Sequence, residues 1–123
     1  MKNLTINKTK STPEIQFDVN KKTLSIEGVS LPENVSDFYR ILDIYLSDYV
    51  SKVGNDKLII YFDVIYMNTS SSKKIFNLFK YCMNTFNELK IIWVYEEGDD
   101  ETLELGEDFE KTLDIKFEFK QKP

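Results

Sequence analysis

Nine residues near the middle of the chain, Leu58-Ile59-Ile60-Tyr61-Phe62-Asp63-Val64-Ile65-Tyr66, make an almost unbroken apolar run. Such a run reads as a strand buried on both faces, the mark of a central parallel strand. Ile91-Ile92-Trp93-Val94-Tyr95 reads as a second one. Between them Ile75, Leu78, Phe79, Cys82 and Phe86 share one face of a helix over about 72–87. Ahead of the first, Val35, Phe38, Ile41, Leu42, Tyr45, Leu46, Tyr49 and Val50 recur at spacings of three, four and seven. That is an amphipathic helix, entered near Pro32-Glu33-Asn34 and closed at Gly54.

Two alternating segments open the chain, Glu14 to Asp18 and Thr23 to Glu27, joined by the short Val19-Asn20-Lys21-Lys22 link. They read as a β-hairpin, with Pro13 at its start and Gly28 at its end. A weaker helical pattern around Leu105, Phe109 and Leu113 leads to an edge-like strand from Ile115 to Phe119. The predicted order is ββαβαβαβ: an α/β fold whose mixed sheet joins an N-terminal antiparallel hairpin to parallel strands with right-handed crossovers. At 123 residues the chain fits a single domain spanning 1–123.

Composition narrows the chemistry. Histidine is absent, which removes Ser-His-Asp and Cys-His catalysis and imidazole metal sites. Cys82 is the single cysteine, so no intramolecular disulfide forms and a reducing compartment is expected. The net charge is −5, and Arg40 is the one arginine among sixteen basic residues, a balance that argues against nucleic acid as a partner. No apolar run suits a signal peptide or approaches the roughly 18–20 residues of a bilayer span, so no direct membrane insertion and a cytoplasmic location are expected.

Charge is unevenly spread. Nine of the fifteen positions from Glu96 to Glu110 are acidic, but they lack the punctuation of a calcium-binding loop and read as a solvated helix with its preceding loop. That run could still steer a basic partner surface. Asp63 inside a buried strand needs a partner, and pairing with a lysine or tyrosine is the simplest account. Cys82 reads as core packing. No metal and no cofactor is expected.

The segment richest in chemistry is Tyr66-Met67-Asn68-Thr69-Ser70-Ser71-Ser72, where four hydroxyls lie between a strand end and a helix start. Loops beyond the carboxyl ends of parallel strands are where such sheets place their sites. Asn, Ser and Thr are also the preferred helix caps. A phosphate on one of these hydroxyls would face the positive end of a helix dipole and free backbone N–H groups. Capping and modification are compatible on neighbouring residues.

Several blocks of the chain, in order and spacing, resemble one family. They are Ser11-Thr12-Pro13-Glu14-Ile15-Gln16-Phe17-Asp18, Gly28-Val29-Ser30-Leu31-Pro32-Glu33-Asn34, Tyr66-Met67-Asn68-Thr69-Ser70-Ser71, and Trp93-Val94-Tyr95 with Glu104-Leu105-Gly106-Glu107-Asp108-Phe109. From about Leu4 to Phe119 the chain looks like the SiaC family of bacterial regulatory phosphoproteins. The resemblance implies a fold similar to the STAS domains of anti-sigma factor antagonists. It also implies reversible phosphorylation by a dedicated Ser/Thr protein kinase, reset by a PP2C-type phosphatase. The unphosphorylated form would bind and activate a diguanylate cyclase, linking the switch to cyclic-di-GMP output and biofilm formation. The family's phosphoacceptor falls on Thr69, with Ser70 the next candidate, and this sequence adds Ser72 to the hydroxyl run. Asn68, Thr69, Ser70 and Ser71 are then the expected partner-binding residues. Two other readings stand beside this one: a true anti-sigma factor antagonist, and a small enzyme using Asp63 with the loop hydroxyls.

Overall fold

A computed structural model describes residues 1–123. Its strands are β1 (Leu4–Ile6), β2 (Glu14–Asp18), β3 (Thr23–Ser30), β4 (Lys57–Met67), β5 (Glu88–Glu96) and β6 (Glu118–Lys122); its helices are α1 (Val35–Lys52), α2 (Thr69–Thr85) and α3 (Asp100–Leu113). The six strands lie side by side in chain order. β1, β2 and β3 pair antiparallel, and β3, β4, β5 and β6 pair parallel. This is the expected mixed sheet with its N-terminal hairpin, extended at one edge by the three-residue β1.

Parallel neighbours joined in sequence by right-handed crossovers put every crossover helix on the same face. The core accordingly takes one alternation from each of the four inner strands: Ile15 and Phe17, Leu24 and Ile26, Leu58, Ile60, Phe62 and Val64, then Ile91 and Trp93. Against them pack Tyr39, Leu42, Leu46 and Tyr49 of α1, Ile75, Leu78, Phe79 and Cys82 of α2, and Phe109 and Leu113 of α3. Each fully buried large side chain contributes on the order of 1.5–3 kcal/mol.

The structure corrects three expectations. β4 is not covered by helices on both faces: Ile59 and Tyr61 are half-buried and Ile65 is exposed on the open face. Long side chains from β6 cover part of that face. Lys120 Nζ stands 5.6 Å from the Tyr61 ring centroid, and Lys122 Nζ reaches Asp63 Oδ2 at 2.8 Å. In α1, Ile41 turns to solvent, and Tyr39 completes the buried 39-42-46-49 stripe instead. Gly54, at φ +128°, closes α1 by donating its N–H to the Tyr49 carbonyl (3.2 Å).

The last strand starts three residues later than expected. Asp114, at φ 57°, ends α3 in the left-handed region, and the Phe117 N–H donates to Glu110 Oε2 (2.8 Å) rather than to the sheet. Ladder pairing with β5 therefore begins at Glu118. No helix is long and apolar enough to cross a membrane.

Candidate functional site

The hydroxyl run forms the first turn of α2 rather than a loop ahead of it. Asn68 is the N-cap, with extended backbone, and its Oδ1 accepts the Ser71 N–H (2.9 Å) and the Ser70 Oγ–H (3.1 Å). An asparagine there satisfies donors that the helix leaves unpaired. The helix can therefore start at Thr69, three residues earlier than the apolar spacing alone predicts.

The four expected partner-binding residues do not share one environment. Thr69 and Ser70 are exposed and Asn68 is half-buried, all at the carboxyl end of the sheet. Ser71 is fully buried and its Oγ accepts from Ser30 Oγ (2.8 Å), so it faces the core and not a partner. Helical geometry dictates this, because residue 71 lies on the same face as Ile75, Leu78 and Cys82. Ser72, half-buried, donates its N–H to the Asn68 carbonyl (2.9 Å).

The electrostatics of the turn favour an anion. No acidic residue occupies the first turn of α2. Lys73 and Lys74 follow it, and Lys74 is paired with Asp43 at 2.6 Å. The positive end of the helix dipole is thus uncompensated next to two exposed hydroxyls.

Beside this turn lies a cleft of about 310 Å³ between the end of β4 and α3. Val64, Met67, Trp93 and Leu105 give it apolar walls, and Asp99, Glu101, Glu104 and Asp108 give it an acidic rim. Ile65 and Tyr66 stand exposed at its mouth. Sequence reasoning placed the acidic residues on a solvated helix but missed the cleft. One of them is structural: Asp99 caps α3, accepting the Thr102 N–H (3.1 Å) and Oγ1–H (2.7 Å). An aspartate directly ahead of the helical pattern is the signal that marks this cap.

Asp63 is buried, and its partner is Lys122, the lysine pairing anticipated from sequence. The hydrogen bond to Asp63 raises the Lys122 pKa above its ordinary value. Asp63 alternates with Phe62 and Val64 and so belongs to the open face, whereas Thr69 heads a helix on the other face. The structure does not bring Asp63 together with the hydroxyls. Cys82 is buried in the core, and desolvation pushes its thiol up to about 12.

The blocks singled out in the sequence converge on this end of the fold. The Leu31 N–H donates to the Ser11 carbonyl (2.7 Å), and the Asn68 N–H donates to the Ser30 carbonyl (3.2 Å). Trp93 Nε1 donates to the Thr102 carbonyl (3.0 Å) next to the cleft.

Known proteins share this fold. Residues 6–122 match the model of the SiaC family regulatory phosphoproteins. An uncharacterised protein of Pseudomonas aeruginosa (strain UCBPP-PA14) is 30% identical over 120 residues, covering 95% of this chain and 94% of the relative. The crystal structure of apo-SiaC from Pseudomonas aeruginosa superposes with a TM-score of 0.79 at 28% identity, covering 100% of both chains. The structure of the diguanylate cyclase SiaD in complex with its activator SiaC, from the same organism, superposes with a TM-score of 0.83 at 26% identity, over 97% of this chain and 99% of the other.

Proposed function

The chain belongs to the SiaC family of regulatory phosphoproteins, and from that premise we propose that it is a phosphorylation-controlled binding module rather than an enzyme. Its unphosphorylated form engages and activates a diguanylate cyclase in the cytoplasm. A Ser/Thr kinase modifies Thr69, and a PP2C-type phosphatase restores the active form. The complex of a similar protein with SiaD supports the choice of a cyclase. Residues 1–123 act as one regulatory domain.

The observation that carries this reading is the placement of Thr69. It is exposed at the first position of a helix whose cap is supplied by its neighbour and whose first turn holds no acidic residue. Modification therefore leaves the cap in place. The phosphate adds about −1.5 to −2 charges where the helix dipole and free N–H groups favour them. The fold tolerates the modification, while a partner pressed against Asn68, Thr69 and Ser70 would have to desolvate a dianion. Two orders of magnitude in affinity need only about 2.8 kcal/mol, within the reach of one such charge.

The test is cyclase output in a reconstituted mixture with kinase and ATP. Thr69→Ala is expected to keep the cyclase active after kinase treatment, while the unaltered chain loses activation. Thr69→Asp is expected to activate partially, since it supplies one charge where phosphate supplies nearly two. If the kinase silences Thr69→Ala as fully as the unaltered chain, Thr69 is not the switch.

A further inference from the structure

We propose that Ser71, held by Ser30 and Tyr39, is a positioning residue that fixes how the turn carrying Thr69 is presented to its modifying enzyme. The proposal rests on reading Thr69 as the phosphoacceptor and adds the device that orients it.

All three residues are completely buried, and they come from three elements. Ser30 Oγ donates to Ser71 Oγ at 2.8 Å and lies 2.7 Å from the Tyr39 hydroxyl. A serine hydroxyl has one proton. With that of Ser30 directed at Ser71, the Tyr39 phenol is the donor in the second contact. The result is a directed line from α1 through β3 to α2, in which Ser30 both accepts and donates. Burial pushes the Tyr39 phenol up to about 12, so it keeps the proton it donates throughout the neutral range.

Ser30 grips the turn at two points. Its carbonyl accepts the Asn68 N–H (3.2 Å), and its hydroxyl binds Ser71. Asn68 Oδ1 closes the loop by accepting the Ser71 N–H. Thr69 and Ser70 are the two residues between these clamped positions. A register shift makes the grip possible: β3 slips against β4 between Gly28 and Val29, leaving Ile65 unpaired and setting Met67 opposite Ser30. Bulges of this kind re-aim side chains next to sites.

Stability alone does not call for this network. Replacing all partners of a buried hydrogen-bonded set by apolar groups of similar shape is close to neutral. Geometry is what the hydroxyls add. Removing one hydroxyl leaves its partners unsatisfied, whereas removing all three does not, and this separates the two roles.

The experiment compares Ser71→Ala, Tyr39→Phe and the triple variant Ser30→Ala/Tyr39→Phe/Ser71→Ala, each in the full chain. Melting temperature, kcat/KM for Thr69 phosphorylation by the cognate kinase, and amide hydrogen exchange at residues 69–72 are measured together. The triple variant is expected to melt closer to the unaltered chain than Ser71→Ala does. It is nevertheless expected to lose at least tenfold in kcat/KM and to exchange at least tenfold faster in the α2 first turn, with β4 amides unchanged. A triple variant that is phosphorylated and exchanges like the unaltered chain overturns the proposal. If Ser71→Ala fails to fold, Tyr39→Phe and the triple variant decide by the same criteria. Should the unaltered chain be modified elsewhere than Thr69, the reading of the phosphoacceptor fails, while the exchange data still decide whether the hydroxyl line holds the turn.

Discussion

Gly106 shows how one residue can be fixed by a neighbour from another element of the fold. Glycine inside a helix costs roughly 1 kcal/mol relative to alanine. Here, however, a Cβ would stand 2.6 Å from the Trp93 indole. Trp93 cannot retreat, since it is fully buried and packed against Phe62, Phe109 and Phe117. Gly106→Ala is therefore expected to destabilise by about 1–3 kcal/mol despite the gain in helix propensity. A melting temperature equal to or above that of the unaltered chain would contradict this packing. The sequence shows a glycine in a helical pattern but not the indole against it. Titration gives a second expectation at this scale. Burial raises the Cys82 thiol from 9.0 and the Tyr39 phenol from 10.0, each to about 12. Both stay neutral in the fold while the unfolded chain ionises first. Their contribution to stability is complete below pH 9 and declines as the pH rises from 9 toward 12. Cys82→Ala should flatten the decline between pH 9 and 10, read as urea midpoint against pH; a slope identical to the parent's would refute the assignment.

The elements were legible wherever an apolar period met a turn signal. The spacings located α1, β4, β5 and the hairpin, because one face of each must find the core. Termini were less legible, for identifiable reasons. Four consecutive hydroxyl residues carry no apolar period, so the start of α2 depends on Asn68 and its hydrogen bond to the Ser71 N–H. Asn68→Ala should cost about 1 kcal/mol, measured by urea unfolding, since it removes the side-chain acceptor. Ile115, Phe117 and Phe119 alternate like a strand, yet alternation reports burial and not pairing, and Glu110 takes the Phe117 N–H. The open face of β4 was hidden for a related reason. Lys120 stands over Tyr61 and Lys122 pairs with Asp63 there, both lysines more than fifty residues away in sequence. The helix-facing side of β4 remains the hub of the core. Ile60→Asp, which buries an unpaired charge there, should lose several kcal/mol of a total of roughly 5–15 and unfold the chain. A folded Ile60→Asp variant with an unchanged melting temperature would refute that placement.

At the level of the whole molecule, the proposed switch lies at the carboxyl end of the parallel strands, where Ser30 at the end of β3 holds the first turn of α2. Family resemblance alone proposes Thr69 as the acceptor. Its exposure beside a buried Ser71 was not legible in the sequence, because both are hydroxyl residues and only packing separates them. The cleft beside α3 was equally invisible, since it is made by β4 and α3 meeting across thirty-odd residues of chain. In the proposed mechanism one phosphate on Thr69 controls partner binding without altering the fold. Calorimetric titration of the cognate diguanylate cyclase with the unmodified chain and with the Thr69-phosphorylated chain tests it most directly. Phosphorylation is expected to weaken binding at least a hundredfold, about 2.8 kcal/mol, with an unchanged circular dichroism spectrum. Equal affinity of the two forms would contradict it.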